Sequence, residues 1–109
     1  MYAGTNHPSD IDMFYLGRDD VLIIGEIKND RGSLGNGQRN LLERLADGWR
    51  GDAIVLYITH DHDYKAGDRT VDVSRCFVRE IYYKRIHKWV LPKMPTTVGE
   101  VIEFYRREQ

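Results

Sequence analysis

Cysteine is nearly absent: Cys76 stands alone in a chain of 109 residues. One cysteine excludes a disulfide framework and a cysteine-based zinc site. A reducing cytoplasm is therefore the expected compartment. Long apolar runs are also missing. The longest, Val21 to Ile24, suits a buried strand and falls far short of the roughly 20 residues that span a bilayer, so no membrane partner is expected. The opening residues Met1-Tyr2-Ala3-Gly4-Thr5 have neither the basic start nor the apolar stretch of a secretory signal. Repeats and low-complexity tracts are lacking. So is an excess of one charge: the net charge is -1, and the whole-chain balance does not announce nucleic acid. What is present is a globular composition, 41% hydrophobic against 30% charged, which argues against disorder. The length suits one domain spanning 1–109.

Local patterns predict a mixed α/β (α+β) chain. Ile11 to Leu16 and Val21 to Lys28 are apolar runs joined by Gly17-Arg18-Asp19-Asp20, which has turn composition, so they read as a β-hairpin. Asn29 to Gly37 holds three glycines without periodicity and reads as a loop. Asn36 is a plausible N-cap for a helix that starts near Gly37-Gln38, presents Leu41, Leu42, Leu45 and Ala46 as its apolar face, and ends at Gly48. Ala53 to Thr59 is a β-branched run, hence a buried strand. Val71 to Tyr83 matches helical spacing in part, but its β-branched and aromatic content favours a strand. A turn near Arg85-Ile86-His87 and a short return strand through Trp89 should follow. Pro92 and Pro95 then break regular structure, and Thr97 with Glu100 is a capping-box pattern for a closing helix from Val98 to about Arg107.

The charges are unevenly spread. Between Arg75 and Lys93, six Lys and Arg residues accompany a single acid, Glu80. Arg31, Arg39, Arg79, Lys84 and Arg85 are candidates for phosphate contact, or else members of a solvated face. Tyr82, Tyr83 and Trp89 interleave with the last of these and can stack on bases or fill the core.

The hairpin carries the chemistry. Alternate strand residues share a face, so Glu26 and Lys28 point the same way. Asp12 opens the partner strand, and a turn near Asp19 brings it alongside Glu26. Two carboxylates converging there offer hard oxygen ligands for Mg²⁺ or Mn²⁺, with the Ile27 carbonyl as a third oxygen. An ammonium beside them stabilises the charge that develops on a phosphate under attack. Asp10, two residues before Asp12, is either a further metal ligand or supporting acid, or a solvated strand start.

The segments Ser9-Asp10-Ile11-Asp12-Met13-Phe14-Tyr15-Leu16 and Ile24-Gly25-Glu26-Ile27-Lys28-Asn29 resemble the PD-(D/E)XK nuclease superfamily. The closest likeness is to its small Holliday-junction-resolvase-like and VRR-NUC-like branches. The resemblance implies that Asp12 and Glu26 are metal ligands, that Lys28 is the catalytic lysine, and that Gln38 is the glutamine those branches place at the start of the next helix. It implies a restriction-endonuclease-like mixed β-sheet flanked by helices. With 11 residues before Asp12, the expectation is an N-terminally truncated form of that core. The implied activity is metal-dependent endonucleolytic hydrolysis of DNA, branched or phage DNA included, with Mg²⁺ or Mn²⁺, no small-molecule cofactor, and a homodimer to match a two-fold substrate. The alternative is a non-catalytic nuclease-fold module that binds nucleic acid or a protein. Elsewhere, His60-Asp61-His62-Asp63 is either a metal cluster or a solvated loop, and His7 is an arm residue or a water-positioning group. Ser33 has no histidine placed to activate it, and Cys76 is expected within a strand, so nucleophilic catalysis has no support.

Overall fold

The computed structural model describes residues 13–29, 35–60 and 73–107. The expected hairpin is present. Strand β1 (Met13–Leu16) pairs antiparallel with β2 (Leu22–Asn29), from Leu16↔Leu22 to Met13↔Gly25. The turn between them puts Asp19 and Asp20 at φ 57° and 60°, a region that aspartate tolerates better than most residues. This turn is held down from outside. The Asp20 carbonyl accepts a hydrogen bond from the Trp49 indole, and its carboxylate takes two from Arg50, at 3.0 and 3.2 Å. Gly51 is required at this clamp, because a Cβ there would stand 2.6 Å from the Asp20 carbonyl oxygen.

Helix α1 (Asn36–Asp47) carries the chain back to β3 (Ala53–His60), which pairs parallel to β2 from Leu22↔Ala53 to Asn29↔His60. Gly35 is the N-cap, so Asn36 lies one residue inside the helix rather than capping it. The helix also rotates away from the expected face. Leu42 and Ala46 are fully buried in the row begun by Gln38, while Leu41 and Leu45 lie on the neighbouring flank and are exposed. Gly48 closes the helix in a right-handed conformation, its N–H donating to Arg44 O at 2.9 Å.

A short 3-10 turn, Val73–Arg75, precedes β4 (Phe77–Tyr83), so the strand expected from Val71 begins later. Cys76 is buried between the two, just outside the strand. Strand β4 pairs antiparallel with β3, and the register shifts between Tyr57 and Ile58, which leaves Arg79 as the extra residue of a bulge. Strand β5 (Lys88–Val90) returns along β4. Helix α2 (Val98–Arg107) starts with the expected reciprocal cap: Thr97 N–H donates to Glu100 Oε1 at 2.8 Å, and Glu100 N–H to Thr97 Oγ1 at 3.2 Å.

The result is a mixed five-stranded sheet in the order β1-β2-β3-β4-β5. On one face Leu22, Ile24, Val55 and Tyr82 pack under α1; on the other Ile23, Ile54, Leu56 and Ile58 pack with Val98 and Val101 of α2. Among the described residues no helix is long and apolar enough to cross a membrane.

The core contains two tyrosines that resist ionisation. Burial, then the hydrogen bond and charge of Asp47 and the charge of Glu43, push Tyr82 up to about 12. Burial, reinforced by Tyr83 and Asp52 against the opposing Arg85, pushes Tyr105 up to about 12. Both native values lie above the unfolded value of 10.0. Their contribution is therefore complete below about pH 10 and is lost as pH climbs towards 12. Urea melts near neutrality and at about pH 11 should show this loss, and Tyr82→Phe should flatten it. Equal stability at both pH values would contradict it.

Candidate functional site

Strand β2 is the centre of the site because it is paired on both sides and runs parallel to its neighbour β3. In a β-α-β unit of this kind, the carboxyl ends of the strands and the amino end of the connecting helix meet, and ligands bind in that crevice. Glu26 and Lys28 occupy that end of β2 and point to the α1 face, as alternation predicts. Glu26 is only 4% exposed. Lys28 Nζ lies 3.7 Å from Glu26 Oε2, with its side chain 28% exposed, so it faces both the carboxylate and solvent.

Gly25 sets this stretch against the opposite layer. A Cβ there would lie 2.5 Å from Met13 Cγ and 2.8 Å from Ile58 Cδ1. Those two side chains fill the space a larger residue would need, and the close fit holds the strand just before Glu26.

Cross-strand register adds residues that the sequence reading missed. Glu26 pairs with Tyr57, and Tyr57 with Glu80, which gives one row across three strands. Arg39 of α1 reaches down to Glu80 in an ion pair and lies over the Trp89 ring, 4.7 Å from its centroid. Trp89 in turn donates its indole N–H to Glu43 at 2.6 Å. Burial raises Tyr57 above its usual value; the cations Arg79 and Arg39 oppose this, while Glu80 adds to it. Gln38 is buried in the first turn of α1, at 9% exposure. The one sequence signal for Glu80 was its position as the lone acid among basic residues.

The remaining sequence candidates divide. Asp12, Asp10, Arg31, His7 and Ser33 lie outside the described residues, as do Asp61, His62 and Asp63; His60 ends β3. Arg79 and Arg39 stand by the Glu26 row. Lys84 and Arg85 do not: the Lys84 N–H bonds to Ala53 O, at the other end of β3. Lys84 Nζ donates to the carbonyls of Trp49 and Gly51, and Arg85 pairs with Asp52 at 3.1 Å. These two cations tie the closed end of the sheet. Tyr82 is core, its hydroxyl bonded to Asp47 at 2.9 Å. Among the described residues no group of three or more His, Cys, Asp or Glu side chains is arranged to hold a metal ion.

Comparisons with protein-family models, curated proteins and solved structures return no match.

Proposed function

We propose that the chain is a metal-dependent nuclease of the PD-(D/E)XK type, with a restriction-endonuclease-like core, that hydrolyses DNA phosphodiester bonds at Glu26 and Lys28. The observation that carries this reading is the buried Glu26 beside Lys28, on one face of the strand that leads into the β2-α1-β3 crossover. Asp12, which lies outside the described residues, is the second acid by the resemblance alone; the described register of the hairpin runs to Met13↔Gly25, one residue before Glu26.

The donors suit a hard divalent cation: carboxylate oxygens from Asp12 and Glu26 and the peptide oxygen of Ile27, with Asp10 near by in sequence. When bound, Mg²⁺ or Mn²⁺ supplies a Lewis acid and lowers the pKa of a water ligand. The chain's own groups do the rest. Glu26, on a strand paired to β3, would hold the cation beside the reacting phosphate. Lys28 offsets negative charge on the phosphate oxygens from the solvent side. Arg79 and Arg39 provide positive charge along the same row, and Gln38 offers amide donors from α1. A homodimer presenting two such sites fits a two-fold symmetric branched substrate.

Incubation with supercoiled, linear and four-way-junction DNA plus Mg²⁺ or Mn²⁺ tests the reading. Cleavage of at least one substrate is expected, with Asp12→Ala inactive. No cleavage by the wild type, together with no Mn²⁺ binding by calorimetry, would instead favour a non-catalytic module that binds nucleic acid or a protein.

A further inference from the structure

The first turn of α1 is rich in backbone donors. No side chain caps it, and its first turn contains no acid. The first hydrogen bond of the helix runs from Arg39 N–H to Gly35 O at 3.0 Å. The N–H groups of Asn36, Gly37 and Gln38 come before it and have no acceptor within the helix. The dipole of a 12-residue helix adds partial positive charge at that point. A Cβ at Gly35 or Gly37 would meet nothing within 4 Å.

A second observation is independent of the helix end. Gln38 is buried, at 9% exposure, and its Nε2 has no hydrogen-bond acceptor among the described residues. Side chains on a helix lean towards its amino end, so this amide lies beneath the first turn. The next residues of the same row, Leu42 and Ala46, are apolar and fully buried. An apolar residue at 38 would pack there without leaving an amide unsatisfied, so a buried donor at this position points to an acceptor from outside. At the same end of the β2-α1-β3 unit, Lys28 stands 3.7 Å from Glu26 and balances its charge.

We propose that the first turn of α1 and Gln38 Nε2 form a phosphate-binding subsite that works without a metal ion. Three backbone donors and an amide suit the tetrahedral oxygens of a phosphate better than any cation or apolar group. Assigning that phosphate to a nucleic acid, next to the bond cut at Glu26, rests on the nuclease reading. The anion site itself does not.

The test is an amide NMR titration of the full chain in chelator, with sodium phosphate against sodium chloride at equal ionic strength. Millimolar phosphate should shift the backbone amides of Gly35, Asn36, Gly37 and Gln38 and the Gln38 side-chain amide. Gln38→Leu should weaken binding about tenfold, and Gln38→Glu should abolish it. Phosphate should raise the Tm of the wild type more than that of Gln38→Leu. Absent shifts, shifts matched by chloride, or equal binding in all three proteins overturn the proposal. Thymidine 5′-monophosphate and an oligonucleotide with or without a 5′-phosphate identify the source: preference for the phosphorylated oligonucleotide assigns a terminal monoester, and equal binding an internal diester. Phosphate binding without DNA cleavage leaves the subsite standing and removes the nuclease reading. Cleavage without phosphate shifts does the reverse.

Discussion

Glu26→Ala is expected to lose Mn²⁺ binding and to lower metal-supported DNA cleavage by on the order of a hundredfold or more. Fold stability should change little. Glu26 is 4% exposed, and its carboxylate stands 3.7 Å from Lys28. Burying a charge costs desolvation that its contacts offset only in part, so removing it should shift stability by about 1–2 kcal/mol in either direction. Lys28, at 28% exposure, can turn to water once its partner is gone. Lost activity with preserved stability is the signature of a residue kept for chemistry. Glu26→Gln separates the two contributions, because it keeps the shape and removes the charge. Calorimetry with Mn²⁺, urea melts and a cleavage assay read all three properties. Unchanged Mn²⁺ affinity in Glu26→Ala would remove the metal role, and a large fall in stability would make the residue structural.

Gly25→Val should be the most damaging substitution to the fold, with a loss of roughly 3 kcal/mol or more. Its Cβ would sit 2.5 Å from Met13 Cγ and 2.8 Å from Ile58 Cδ1, and Ile58 is fully buried. Neither neighbour can move far: Met13 belongs to the paired hairpin, and Ile58 lies between the sheet and the layer of α2. Gly25→Ala should cost less, roughly 1–3 kcal/mol. Met13→Ala should recover part of that, because it vacates the contested space, and a double-mutant cycle would show this as coupling between the two positions. Wild-type stability for Gly25→Val would refute the packing described. The position matters beyond stability, since the next residue in the strand is Glu26.

Short-range features were legible in the sequence. The hairpin and its turn at Asp19, the buried strand expected over Ala53–Thr59 and the Thr97/Glu100 cap depend on neighbours within a few residues, and each is found where local chemistry puts it, the strand running one residue further, to His60. The rotation of α1 was not legible. Leu41 and Leu45 looked as apolar as Leu42, and only packing on the sheet selects the row Gln38, Leu42 and Ala46. The row Glu26, Tyr57 and Glu80 was hidden for a similar reason. It depends on a parallel register and on a bulge at Arg79 that sets which β4 side chains face α1. The basic segment appeared to be one patch along the chain, but the fold sends Arg79 to one end of the sheet and Lys84 and Arg85 to the other. Of the candidate site, the shared face of Glu26 and Lys28 and the place of Gln38 in the first helical turn were legible; their neighbours were not, because long-range pairing leaves no local trace.

The ties at the closed end differ in kind, and added salt would sort them. Arg50–Asp20 and Arg85–Asp52 are exposed charge pairs, which counterions screen. Lys84 instead binds two neutral peptide carbonyls at a partly buried position. With no anion to compete for, its hold depends less on ionic strength. A concentrated electrolyte would therefore release the outer pairs and leave the inner tie, so that the end of the sheet away from Glu26 stays fastened when its surface charges are screened.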